Sequence, residues 1–197
     1  MHAFTFSLPT QIVFGPGTEA ETGRLTVQQG GHRVLVVYGG QSAVRFILAV
    51  GGGSVIDASK AIALGAANPQ TDLWDFWLRK QPVERTLPVG AVLTISAAGS
   101  ETSDSAVLTR DDTLEKRGLG SQLFRPRFAV MNPELTYTLP PYQIACGVVD
   151  IMMHTMDRYF TSVTDNTLTD EIAEGVLRNT IRCGRKALSN PKDYQAM

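Results

Sequence analysis

Gly51-Gly52-Gly53-Ser54 follows the apolar run Phe46 to Val50 and opens a helical pattern, which makes it the stretch best suited to hold a pyrophosphate. Glycines let the backbone approach phosphates closely, and the free amides and positive dipole end of the following helix attract them. Read alone, the same residues also make a plain tight turn. A second group could bind a cation. Asp150 and His154 stand four residues apart in a helical pattern, so their side chains project from one face about a turn apart. A carboxylate and an imidazole suit a divalent ion such as Fe2+ or Zn2+, but a stable site uses three or four protein ligands. The other histidines, His2 and His32, lie in unsuitable segments, and an Asp and a His at this spacing also form an ordinary exposed pair.

The elements that must position these residues belong to a chain of 197 residues, 43% hydrophobic and 19% charged, with a formal net charge of -1. That length suits one domain, or one domain and part of another. Near-neutral charge without a basic run argues against nucleic acid and membrane surfaces. No apolar stretch reaches spanning length, and Met1 to Pro9 lacks the features of a signal peptide, so the expected address is the cytoplasm. Cys146 and Cys183 lack metal spacing and fit free thiols in a reducing compartment.

Strand-like runs dominate the first part. Phe4 to Phe14, Val34 to Tyr38, Phe46 to Val50, Val89 to Ile95, Ala106 to Thr109 and Phe128 to Met131 read as strands, with a short helical segment from Thr18. Their continuous apolar character predicts a parallel sheet covered on both faces. One spacing conflicts with that. Only Gly39 to Arg45 separate the second and third runs, whereas a parallel crossover uses a dozen residues or more. Either these runs pair as an antiparallel hairpin or a segment is missing near residues 45 and 46, and a phosphate turn at the carboxyl edge of a parallel sheet favours the missing segment.

Beyond Pro141 the period becomes helical. Ile144, Val148, Ile151, Thr155 and Tyr159 share one face of a first helix, and Leu168, Ile172, Val176, Thr180 and Gly184 recur along a second. Thr167 with Asp170 predicts a capping box. Two helices cannot close a core by themselves, so their apolar faces predict self-association, with a homodimer as the expected state. The implied division is an α/β domain over residues 1–140 and the opening helices of another over 141–197.

Five segments in order resemble the iron-containing (group III) alcohol dehydrogenase family: Leu8 to Gly17, Tyr38-Gly39-Gly40-Gln41-Ser42, Gly51 to Ala63, Leu93 to Glu101, and Gly147 to His154. Asn132 to Pro140 also resembles the family's link into its helical domain, with Asn132 where an Asp is usual. The resemblance implies a dehydroquinate synthase-like fold, here incomplete: a Rossmann-like cofactor domain, then the start of an all-helical metal-binding domain, with the active site in the cleft between them. It implies that Gly51, Gly52, Gly53 and Ser54 cradle a pyrophosphate, that Asp57 lies near the cofactor, and that Thr94, Ser96 and Ala98 line the adenine and nicotinamide side. Lys116 matches a lysine that approaches the cofactor, and Asp150 and His154 match the first two metal ligands. The two further histidine ligands belong, in the family, to helices beyond the end of this chain. Ser100 and Glu101 have no neighbouring histidine and read as a turn and helix start, so no catalytic residue is identifiable beyond the metal ligands.

Gly39, Gly40 and Ser42 provide no carboxylate for an adenosine ribose, which resembles the NADPH-preferring butanol dehydrogenase and aldehyde reductase branch. The expected cofactors are NADP(H), with NAD as the alternative, and Fe2+ or Zn2+. The expected reaction is hydride transfer between the nicotinamide and a small alcohol or aldehyde. Two other readings compete with it, a non-catalytic nucleotide-binding remnant and a glycerol dehydrogenase-like polyol oxidoreductase.

Overall fold

The computed structural model describes residues 7–37, 45–162 and 165–197. Gly39, Gly40 and Ser42, on which the cofactor choice turns, lie outside the described residues. The chain divides into two compact units, one of Met1–Leu93 with Gly99–Met131 and one of Thr94–Ala98 with Asn132–Met197.

In the first unit the described strands are β1 (Gln11–Phe14), β2 (Val34–Val37), β3 (Phe46–Gly51), β4 (Val89–Leu93), β5 (Ser105–Arg110), β6 (Glu115–Gly120) and β7 (Phe128–Met131). Five of them form one wholly parallel sheet in the order β1-β7-β4-β3-β2. β4 is buried along its whole length, as a central strand covered on both faces must be. The edge strands are more open: Ile12 and Phe14 of β1 and Val36 of β2 are exposed.

β2 and β3 pair in parallel, with Val34 opposite Phe46 and Val37 opposite Ala49. The antiparallel hairpin is thereby excluded. Parallel pairing keeps Ile47, Ala49 and Gly51 on the face that packs under the following helix, and reversing β3 would carry the glycine turn to the other edge. Of the two readings of the short connection this leaves the missing segment near residues 45 and 46, since only 38–45 intervene in the sequence, fewer than a parallel crossover uses.

A second correction concerns the run Ala106 to Thr109. β5 does not join the parallel sheet but forms an antiparallel hairpin with β6, a strand that apolar runs do not reveal. The reason is one-sided burial: Ala106 and Leu119 face an aromatic cluster while most of the hairpin is exposed. β1 is likewise shorter than the predicted run and begins after Pro9, which has no amide to give a sheet.

Helix α1 spans Thr22–Gln28, α2 Gly53–Ala67 and α3 Leu73–Trp77. α2 is buried on two sides. Ile56 and Ala63 pack on β3 and β4, while Ala61 and Leu64 meet Trp74, Trp77, Ala106 and Phe124. Within that cluster Trp77 stacks between Trp74 and Phe124, with ring centroids 6.4 and 6.3 Å away, and its indole N–H donates to the Ala106 carbonyl at 3.3 Å. On the opposite face of the sheet Phe46 stacks on Phe128 at 6.0 Å.

The second unit holds α4 (Pro141–Tyr159) and α5 (Thr167–Ser189). Ile144 is buried, and Val148, Ile151, Thr155 and Tyr159 are half-buried on its face, as the period predicts. The apolar face of α5 is left uncovered, as expected of two helices that cannot close a core by themselves. Leu168, Ile172 and Val176 are exposed, and the buried positions are the small residues Ala173, Gly184 and Ala187, which permit close approach of the two helices. Thr167 is the first helical residue rather than the cap, so the predicted capping box does not form; Asn166 precedes it without a side-chain capping bond. No helix of the described residues is long and apolar enough to cross a membrane.

Trp77→Ala should lower the unfolding free energy by about 3–5 kcal/mol, because it empties the centre of the stacked cluster. Urea unfolding followed by far-ultraviolet circular dichroism measures the loss.

Candidate functional site

The glycine turn forms because β3 must pass directly into α2. Gly51 is buried at the strand end, and a Cβ there would come within 2.7 Å of the Val55 side chain, so no larger residue fits. Gly52 occupies the N-cap position in extended conformation (φ -89°, ψ -169°) and carries no capping side chain. The opening amides of α2 are therefore left to an external acceptor. Gly53 and Ser54 begin the helix, Gly53 half-buried and Ser54 exposed.

Asp57 sits one turn further in and is buried. Its Oδ1 accepts the Ser100 hydroxyl at 2.8 Å and its Oδ2 accepts the Val107 amide at 2.9 Å. Lys60 Nζ approaches Oδ1 to 3.7 Å and donates to the carbonyls of Ser100, Ser103 and Ser105 at 2.9, 3.1 and 2.7 Å. Burial pushes the Lys60 ammonium down to about 8, with Asp57 pulling the other way, so it is charged at neutral pH. Glu101 is buried beside this group, and desolvation raises its carboxyl above the usual range. Lys60 is absent from the residues that sequence reading selects. Its signal was available: Asp57 and Lys60 stand three apart on a helix with little polar surface, so each needs a partner. Ser100 lies in a turn as expected, but the turn leads into β5 and not into a helix.

Lys116 is exposed on β6, opposite Thr109 and between the ion-paired Glu115 and Arg117. The structure does not bring it to the glycine turn through any described hydrogen bond.

In the second unit Thr94 is half-buried, and Ser96 and Ala98 are exposed. A Cβ on Gly147 would stand 2.5 Å from the Ser96 carbonyl oxygen, so the 94–98 strip lies directly on the α4 backbone. One turn on, Asp150 Oδ2 and His154 Nε2 are 3.8 Å apart with about half of each side chain accessible. Two ligands each about 2.1 Å from one tetrahedral ion lie roughly 3.4 Å apart, so the pair would have to close by about 0.4 Å to share one. Their donor atoms, a carboxylate oxygen and an imidazole nitrogen, are of the kind a divalent metal takes. Among the described residues no group of three or more His, Cys, Asp or Glu side chains converges as a metal cluster.

Tyr159 donates to Glu174 at 3.2 Å, Arg178 holds the other oxygen of that carboxylate at 3.0 Å, and Gly184 lies against Val148, so α4 and α5 are fixed beside each other.

The sequence pattern of iron-containing alcohol dehydrogenases matches residues 40–133. The NADH-dependent butanol dehydrogenase A of Clostridium acetobutylicum is 34% identical over 242 residues, covering all of this chain and 62% of that protein. The chain belongs to the iron-containing alcohol dehydrogenase family. The NADPH-dependent aldehyde reductase YqhD of Escherichia coli is 35% identical, covering 98% of this chain and 62% of its own length. The solved structure of NADH-dependent butanol dehydrogenase A from Thermotoga maritima superimposes with a TM-score of 0.92 at 31% identity, over all of this chain and 60% of that one. The α/β fold with its parallel sheet is thus that of the iron-containing alcohol dehydrogenases. The chain spans about three fifths of the length of these relatives. The butanol dehydrogenase match, at 242 residues, also exceeds the 197 residues of this chain, so the relatives carry residues inside the matched stretch that it lacks.

Gly147→Ala should cost the second unit about 1–3 kcal/mol, because the added methyl meets a backbone carbonyl that cannot swing aside. Amide hydrogen exchange along α4 should accelerate in that variant, and unchanged exchange would contradict the packing.

Proposed function

We propose that the protein is a metal-assisted alcohol dehydrogenase or aldehyde reductase that transfers a hydride between NADP(H) and a small alcohol or aldehyde. The observation that carries this is the start of α2, open and free of capping side chains, at the carboxyl edge of a parallel sheet. Gly51, Gly52 and Gly53 let the pyrophosphate approach, and the amides around Ser54 donate to it. In the order of the sequence, Tyr38-Gly39-Gly40-Gln41-Ser42 supplies no carboxylate to oppose a 2′-phosphate, which favours NADP(H) over NAD(H). Thr94, Ser96 and Ala98 are assigned to the adenine and nicotinamide side, and Lys116 to the cofactor. Asp150 and His154 would hold the metal through a carboxylate oxygen and an imidazole nitrogen. A divalent ion, Fe2+ or Zn2+, supplies Lewis acidity toward the substrate oxygen when bound. A cytoplasmic homodimer belongs to the same proposal, consistent with the free thiols of Cys146 and Cys183.

A second reading, a nucleotide-binding module without turnover, is favoured by one observation: only two candidate ligands come together among the described residues. Metal analysis with an NADPH oxidation assay on a short aldehyde separates the two. The enzyme reading expects about one metal per chain with turnover, and Asp150→Ala or His154→Ala should reduce metal affinity on the order of a hundredfold. Nucleotide binding without metal or turnover would establish the module instead.

The additional residues of the relatives are assigned to the connection between β2 and β3. Trypsin cuts after Arg33 and Arg45, so a contiguous peptide Val34 to Arg45 from the protein of its natural source would overturn that assignment. A longer connecting peptide is expected.

A further inference from the structure

We propose that Lys60 is a positioning residue for the nucleotide, holding the turn that starts at Gly99 against the opening of α2. This rests on the reading of Gly51 to Ser54 as the phosphate cradle. Lys60 has no exposed surface, and its three carbonyl partners, Ser100, Ser103 and Ser105, lie within six consecutive residues. One ammonium therefore sets the curvature of the chain leading into β5. The same turn is gripped from the preceding helical turn by Asp57, through the Ser100 hydroxyl and the Val107 amide. The result of that grip lies at the helix start. A Cβ on Gly53 would be 3.6 Å from Ser100 Oγ, so the held turn touches the first residue of α2, where the phosphate amides arise.

A purely structural tie does not need this charge. A buried ion pair replaced by apolar side chains of similar volume is often neutral or more stable. What apolar side chains cannot do is fix three carbonyls at hydrogen-bond distance and thereby fix a backbone beside an anion site. Ammonium and carboxylate together also leave the cradle with no net charge from α2 beyond its own dipole.

The test measures NADPH affinity by fluorescence titration of the full chain, beside far-ultraviolet circular dichroism, for the unaltered protein, Lys60→Met, Ser100→Ala and Trp77→Ala. Lys60→Met should bind NADPH about tenfold more weakly, or worse, at temperatures where it remains folded. Trp77→Ala, destabilised in the same unit and losing only the bond to the Ala106 carbonyl beside the turn, should lose less affinity than Lys60→Met does. Hydrogen exchange over residues 99–107 should accelerate in Lys60→Met. If the unaltered protein binds neither NADPH nor NADH, the cradle reading falls and this proposal with it. If it binds and Lys60→Met retains its affinity, or loses no more than Trp77→Ala does, this proposal alone falls. Should Lys60→Met fail to fold, Ser100→Ala decides. It should weaken binding about threefold without a change in secondary structure, and unchanged affinity would overturn the proposal.

Discussion

A buried ammonium that must find an acceptor for each proton organises the first unit. Lys60 can be taken out of water only if the chain brings oxygens to it, since an unmatched charge in the interior costs several kcal/mol. Three carbonyls and the Asp57 carboxylate meet that demand, and the carbonyls come from the segment that precedes β5 and from its first residue. That segment runs where it does because the ammonium fixes it, and the direction of β5 follows. The hairpin then delivers Ala106 and Leu119 to the face of α2 that Trp77 and Phe124 close. α2 is consequently buried on both sides, and its start is held at the end of β3. The open amides at Gly52 and Gly53 are a product of this packing as much as of the glycines themselves.

In the second unit small residues do most of this organising, with Tyr159, Glu174 and Arg178 adding a polar tie. Gly147 lets the Ser96 carbonyl lie on the α4 backbone, and Gly184 lets Val148 lie on α5. Close backbone approach needs little side-chain area, so two helices can be fixed with few buried large residues: among the described residues of the two helices, Ile144 is the only long apolar side chain that is buried. Leu168, Ile172 and Val176 remain in solvent.

How legible this was in the sequence follows from how local each cause is. The glycine turn and its helix could be read directly, because strand, turn and helix start are contiguous in residues 46 to 67. The Ile144 to Tyr159 face could be read from its period. The hairpin could not, since Glu115 to Gly120 contains a single buried apolar residue, Leu119, and pairs by backbone alone with a strand whose other face is exposed. On α5 the period marked the uncovered apolar face and Gly184, but not Ala173 and Ala187, because periodicity marks large residues whereas packing at a close crossing selects small ones. The parallel pairing of β2 with β3 was legible from the continuous apolar runs, although the eight residues between them are fewer than a crossover uses. It agrees with the burial of Ile47 and Ala49 beneath α2, a constraint that lies outside the connection itself.

Asp57 brings sequence and structure together most closely. A carboxylate one turn into a helix is favourable to the helix dipole but opposes an anion bound at the helix start. Left free, it would work against the phosphate site proposed at Gly51 to Ser54. At 3.7 Å an ammonium attracts it by roughly 4 kcal/mol at an effective dielectric of about 20, before solvation costs are counted. The Ser100 hydroxyl donates to one of its oxygens and the Val107 amide to the other. The carboxylate is thus spent inside the protein, its field at the turn is offset by a cation three residues away, and the start of α2 keeps its positive character. Asp57 and Lys60 are best understood as one group: neither could occupy its buried position without the other, and together they let a charged helix interior adjoin a site for an anion.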